Sequence, residues 1–236
     1  MRRMVAPVRT ALRTLHGTHS YGWVLGITAL VIMLGIALPD GQVSRLALCV
    51  LAAANLVVAT VIAQARPAAL RGALVLSALA IAAAVVAMVT EGDVSAVVSL
   101  IAVALVVLAT PLIMLKGMGR ALREQGVTAQ VVLGALTFFL LIGLFAVQVY
   151  GVIAHADSGP LFNGDHGDGT VGDRMYFAFI TQATVGYGDF TPAGGAGRAV
   201  AVGQAIVGQF YLVTVLALLV SNLGRKPGAT RGPTEG

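Results

Sequence analysis

Six apolar runs, each about long enough to cross the hydrocarbon core of a bilayer, decide the fold class before any motif is read. They cover residues 21–38, 46–64, 70–89, 94–115, 131–153 and 198–223. In lipid every backbone N–H and C=O must find its partner inside the protein, so runs of this kind become helices. Composition agrees, since 58% of the 236 residues are hydrophobic, only 11% are charged and the mean hydropathy is +0.90. The predicted class is an all-α polytopic membrane protein. The first run follows a basic leader like that of a signal peptide, but its length favours a retained span. The single cysteine, Cys49, falls within the second run, where it reads as a small buried hydrophobe with no intrachain partner.

The charges orient the spans. With the N-terminus inside, the inner segments collect Arg2, Arg3, Arg9, Arg13, Arg66, Arg71, Lys116, Arg120, Arg123, Arg225, Lys226 and Arg231, twelve of the fifteen basic residues. Only Arg45, Arg174 and Arg198 fall outside, with Asp40, Glu91, Asp93, Asp157, Asp165, Asp168, Asp173 and Asp189. That is a positive-inside distribution, so the net charge of +5 is a topology signal and not a nucleic-acid patch. Both termini are expected in the cytoplasm of a cell membrane. The wealth of Ala, Val and Gly points to a bacterium with a GC-rich genome.

The functional signal is Thr184-Val185-Gly186-Tyr187-Gly188-Asp189, set between a short helical stretch and the last apolar run. A dehydrated cation needs a cage of oxygens, and backbone carbonyls supply one if successive peptides turn the same way. Gly186 and Gly188 permit the left-handed conformations that this requires. The string resembles the selectivity filter of the tetrameric potassium channels; the likeness runs from about Tyr176 to Asn222 and, more weakly, over residues 131–153. The resemblance implies six transmembrane helices plus a re-entrant pore helix and filter loop. It also implies a homotetramer, because one filter strand cannot enclose an axis.

By that resemblance the carbonyls of Thr184, Val185, Gly186 and Tyr187 hold permeant K+, Gly188 completes the string, and Asp189 bonds behind it. Tyr176 and Phe177 fall where the family places an aromatic cuff, and Tyr176 alone has a polar tip to reach Asp189. Asp173 is expected to cap the pore helix. Gly208 matches the family's gating hinge, with close helix packing as the other use for a glycine there. At helical spacing Gln209, Leu212, Leu216 and Val220 are expected to line the inner cavity. Ile180 and Ala183 depart from the family, replacing a glutamate bonded to the filter aspartate in some members and a threonine before the filter.

The expected organisation is a basic cytoplasmic segment (1–20), a four-helix bundle (21–115), an amphipathic cytoplasmic linker (116–130), a pore domain (131–223) and a disordered cytoplasmic tail (224–236). That tail has no room for a ligand-binding domain. The bundle is not expected to sense voltage, since residues 94–115 carry no charge at all. Asn55 and Ser77 are read as interhelical hydrogen-bond formers, and Thr110-Pro111 as a kink turning the fourth span into the linker. The acidic loop 154–172, with His155 and His166, has the wrong spacing for a calcium loop and reads as a cation-concentrating turret. The spans hold no paired carboxylates or metal-ligand cluster, so no enzyme activity and no cofactor beyond K+ are expected. Membrane lipid and further copies of the chain are the only partners implied, with no nucleic acid or soluble partner. The competing readings are a weakly selective cation channel, a non-conducting regulatory subunit and an ion-coupled transporter, the last without the inverted repeats it needs.

Overall fold

The computed structural model describes residues 20–90, 92–156 and 159–224. The basic residues Arg2, Arg3, Arg9, Arg13, Arg225, Lys226 and Arg231, with Glu91 and Asp157, lie outside the described residues, as does nearly all of the expected tail. The rest is helical: α1 (Ser20–Ala37), α2 (Gln42–Ile62), α3 (Pro67–Thr90), α4 (Asp93–Gln125), α5 (Ala129–Ala156), α6 (Val171–Gln182), α7 (Gly195–Phe210) and α8 (Ala217–Ser221). A wide π-turn, Tyr211–Leu216, joins the last two into one rod. Five helices have the length and composition to cross a membrane: α2, α3, α4, α5 and the rod Gly195–Ser221. The first is shorter, and its 18 residues reach about 27 Å, a little less than the hydrocarbon thickness. The chain is a polytopic all-α membrane protein.

Local chemistry ends each helix. Gln64 takes a left-handed φ of 48° after α2, and the amide of Ala65 returns to the Thr60 carbonyl at 3.3 Å. Pro67 then opens α3, where its missing N–H leaves no bond unmade. Gly126, with φ of 73°, stops α4 and bonds back to the Leu122 carbonyl at 3.1 Å.

The expected linker is not a separate element. Helix α4 runs through Pro111 and on to Gln125, so Lys116, Arg120 and Arg123 ride on its last turns. Proline deletes a single helical hydrogen bond, and packing against α2, α3 and α5 outweighs that loss. Only three residues then separate α4 from α5, which makes the two antiparallel neighbours. Within the single chain the first four helices pack, through α1 and α4, on α5 and α6.

Two apolar clusters hold the helices. Tyr21, Val24 and Val31 of α1 pack with Leu144 and Val147 of α5 and with Met175 and Phe177 of α6. Cys49, Ala52 and Leu56 of α2 pack with Ala73 and Ala80 of α3 and Val106 of α4. Buried polar groups cross between helices: the Asn55 amide donates to Thr28 Oγ1 at 2.9 Å, and Ser77 Oγ to the Ala53 carbonyl at 3.4 Å.

Gly117 lets α4 approach, because a Cβ there would stand 2.7 Å from the Tyr21 hydroxyl and 3.0 Å from the Ala63 backbone. Gly117→Leu is expected to cost about 1–3 kcal/mol by overpacking, seen as a lower melting temperature in detergent. Gly119→Ala, where no atom lies within 4 Å, is expected to gain up to about 1 kcal/mol from helix propensity.

Candidate ion-conduction site

The element that aims the string of residues 184–189 is α6, and its start is fixed by a capping box. Thr170 is the cap: its Oγ1 accepts from the Asp173 amide at 3.1 Å, and its own amide donates to Asp173 Oδ2 at 2.8 Å. Asp173 was expected as the cap itself but stands one turn inside, completing the box. Residues 161–163 are strapped to residues 191–193. Asn163 donates its amide to the Thr191 carbonyl, Ala193 donates to the Leu161 carbonyl, both at 2.9 Å, and Asn163 Nδ2 reaches Thr191 Oγ1 at 3.0 Å. Asp168 turns inward, accepting the Leu161 amide at 3.0 Å.

Beyond α6 the backbone alternates in handedness. Thr184, Gly186 and Gly188 have φ of 57°, 52° and 84°, whereas Val185 and Tyr187 keep negative φ. Alternation of this kind turns successive carbonyls toward one side of an extended strand. The glycines meet the expectation; Thr184, a β-branched residue in the left-handed region, was not foreseen and is strained. No atom lies within 4 Å of a Cβ placed on Gly186 or Gly188 in the single chain, so conformation decides for glycine there. The string's base is tied to α6: the Thr184 amide donates to the Thr181 carbonyl at 3.0 Å, and those of Val185 and Gly186 to the Ile180 carbonyl at 2.8 and 3.3 Å.

Its outer end is tied as well. The Tyr176 hydroxyl donates to Asp189 Oδ2 at 2.8 Å, and Asp189 Oδ1 accepts the Phe190 amide at 3.0 Å. The hydrogen bond to Asp189 raises the Tyr176 phenol above its ordinary value. Phe177, expected in a cuff with Tyr176, does not stand beside the string. One residue along α6 is a 100° rotation, and Phe177 points into the core between Tyr150 and Phe162, each ring centroid 5.2 Å away. Phe162 carries the chain of rings on to Phe190 at 5.1 Å, which in turn meets Tyr176 at 5.9 Å and His166 at 4.4 Å.

Behind the string lies a polar network that sequence reasoning missed. Gln182, fully buried at the end of α6, donates to the Phe139 carbonyl of α5 at 2.6 Å. Gln204 of α7 donates to the Ala178 carbonyl at 2.9 Å and to Gln182 Oε1 at 3.2 Å, and accepts from the Tyr150 hydroxyl at 2.9 Å. The available signal was Gln204 itself, an amide in an apolar run. Gly208 is pressed against the same corner, where a Cβ would lie 2.8 Å from the Gln182 carbonyl oxygen. Close packing explains this glycine in the conformation seen.

One turn later the rod widens to π geometry, and Tyr211 leaves it to donate to the Ala135 carbonyl at 2.7 Å and stack on Phe138 at 5.6 Å. The extra residue in that turn splits the expected cavity face. Gln209 and Val220 are exposed, but Leu212 and Leu216 are half-buried against the chain itself.

Comparison with known proteins bears on this segment. The family model described as "Ion channel" matches residues 138–225, from the middle of α5 to the end of the rod. That stretch is similar to ion channel domains. The potassium voltage-gated channel subfamily A member 5 of Rattus norvegicus is 38% identical over 92 residues, 38% of this chain and 14% of that protein. Its Homo sapiens counterpart gives the same figures, 38% over 92 residues. A protein of Rhodopseudomonas palustris, named as a candidate potassium channel protein, is 38% identical over 53 residues, 22% of this chain and 13% of its own. The alignments thus span about a seventh of these relatives' length, and no solved structure matches. Within the matched stretch lie the alternating string, its tie to Asp189 and the glutamine network.

Gln204→Leu is expected to leave Gln182 Oε1 and the Tyr150 hydroxyl without this partner, and so to cost the protein about 1–3 kcal/mol in a thermal melt. Gly208→Ala is expected to lower the same melt by about 1–3 kcal/mol, because the Gln182 backbone cannot yield to the new methyl.

Proposed function

We propose that this chain forms a potassium channel in which four copies bring residues 184–188 together around one axis. The carbonyls of Thr184, Val185, Gly186 and Tyr187 replace the water around K+, with Gly188 turning the strand outward and Tyr176 and Asp189 holding its outer end. The observation that carries this reading is the alternation of φ sign through the string while its base and tip are both hydrogen-bonded to the pore-helix segment. The names of the potassium channel relatives support it. Apolar side chains exposed along the rod, among them Val202, Ile206, Phe210 and Val213, give the neighbouring copies a surface to pack on.

In this reading ions pass down their gradient without coupled chemistry, and the filter faces out of a bacterial plasma membrane with both termini inside. The C-terminal end of α6 aims its partial negative charge at the central cavity, which favours a cation there. Gln209 and Val220 face that cavity. Opening draws the lower rod away from the axis by bending at Gly208, with the π-turn below it as the compliant segment. The bundle is a lipid-embedded scaffold rather than a voltage sensor, because α4 carries no charge between Val94 and Leu115.

The test is a current recorded from purified protein in a planar bilayer with K+ on one side and Na+ on the other. The expected reversal lies about 60 mV or more from zero toward the potassium limit, a tenfold preference for a monovalent ion. Reversal near zero overturns the selective cage and leaves a weakly selective cation pore. In the same record, steps across about ±100 mV are expected to change open probability by no more than about threefold, since no gating charge is available to draw on the field.

A further inference from the structure

A cavity of about 340 Å³ lies away from the conduction site, between the four-helix bundle and the channel domain in the outer half of the fold. Its wall is apolar, with Cys49 from α2, Met88 from α3, Val103 from α4 and Val147 from α5. Two arginines stand at its outer end, Arg45 from the first turn of α2 and Arg174 from the first turn of α6, with His155 from the last turn of α5 beside them. The volume lies in the range of small-molecule sites, which are likewise mostly apolar with a few convergent polar groups.

The charges at that end do not cancel. Arg45 is neutralised by Asp40 through a two-pronged contact, Nε to Oδ1 at 3.0 Å and Nη2 to Oδ2 at 2.9 Å, which holds the Asp40 carboxyl below its usual range. Arg174 is only 4% exposed, and its Nη1 donates to the carbonyls of Asp168 and Gly169 at 3.0 and 2.8 Å. Among the described residues the Arg45–Asp40 contact is the only ion pair, and no carboxylate meets Arg174. The acids whose fields reach it are engaged elsewhere: Asp40 with Arg45, Asp168 with the Leu161 amide, Asp173 with Thr170. His155 Nδ1 is paired with the Gly151 carbonyl at 2.9 Å. A buried guanidinium with no carboxylate in contact among the described residues is costly to desolvate, and two carbonyls answer only part of its five-donor fork.

We propose that this cavity binds a single-chain anionic amphiphile, its carboxylate or phosphate head at Arg174 and Arg45 and its chain along the apolar wall. The head supplies the contacting anion that Arg174 has from no described residue, and a guanidinium fork matches the two oxygens of either group. The occupant touches the helix that carries the filter, since Arg174 and Met175 both belong to α6. The inference does not rest on conduction, so its test needs no current.

The probe is dansyl-labelled undecanoic acid, titrated into the full chain in nanodiscs of neutral phosphatidylcholine and displaced by dodecanoate, lysophosphatidate or dodecanol. Saturable binding is expected, displaced by one or both anions at a concentration at least tenfold below that of the uncharged alcohol. Displacement by dodecanoate alone assigns a fatty acid, by lysophosphatidate alone a phosphate head, and either supports the site. Arg174→Gln is expected to weaken the probe tenfold or more. Ala96→Phe, which keeps both arginines and fills the wall, is expected to abolish binding with the melting temperature retained. If Arg174→Gln does not fold, Ala96→Phe and the alcohol comparison still decide. Absence of saturable binding, equal displacement by dodecanol, or unchanged binding in a folded Ala96→Phe protein overturns the proposal.

Discussion

A peptide strand shows a row of carbonyls to one side only when its residues alternate in handedness, and that is an unfavourable conformation to hold. Glycine adopts it without steric conflict at 186 and 188, but Thr184 takes a positive φ at some cost, and such a conformation persists only where the surroundings over-determine it. Much of the structure from α5 onward can be understood as that over-determination. The Ile180 and Thr181 carbonyls pin the lower end, Tyr176 pins Asp189 at the upper end, and the turret is stitched to Thr191 and Ala193 beyond it. None of these bonds is strong alone. Together they leave the strand no other course between its two anchors.

The anchors need rigid ground, and the buried glutamines supply it. Gln182 and Gln204 are hard to bury in an apolar setting, yet each finds partners on another helix, and a satisfied buried network specifies one arrangement against its neighbours. Gly208 allows α7 close enough for Gln204 to reach. A hinge at Gly208 and a close contact there are compatible, because a bend that lifts the rod would first have to leave the Gln182 corner. The π-turn below reinforces that picture, since it has already broken the regular ladder and sent Tyr211 sideways to hold α5.

The spans were legible because lipid forbids alternatives, so apolar length nearly dictates helix, and the sequence bounds differ from the observed ones mostly by a turn or less. The last turns of α4 were not legible. Pro111 and the charges at Lys116, Arg120 and Arg123 all read as an exit from the membrane, but neither tells a helix to stop, and Gly126 does. Gly186, Gly188 and the Tyr176–Asp189 contact were readable from residue type. Phe177 was not, since a cuff assigned by position ignores the 100° step between neighbours on a helix. The split of Leu212 and Leu216 from Gln209 and Val220 comes from a single wide turn, which no periodicity assumed at 3.6 residues could reveal. That no described carboxylate contacts Arg174 was hidden for a different reason: its sequence neighbours Asp168 and Asp173 look like partners and are bonded elsewhere.

The central claim is that the strand 184–188 presents its carbonyls to a shared axis and that potassium-sized ions sit there. Rubidium, a heavy stand-in for K+, makes this directly visible by anomalous scattering from crystals of the purified protein grown in a rubidium salt. The account predicts discrete rubidium peaks on a four-fold axis, each coordinated by carbonyls from residues 184–187 of four chains. An axis without ion density in rubidium, or carbonyls turned away from it, would contradict the account.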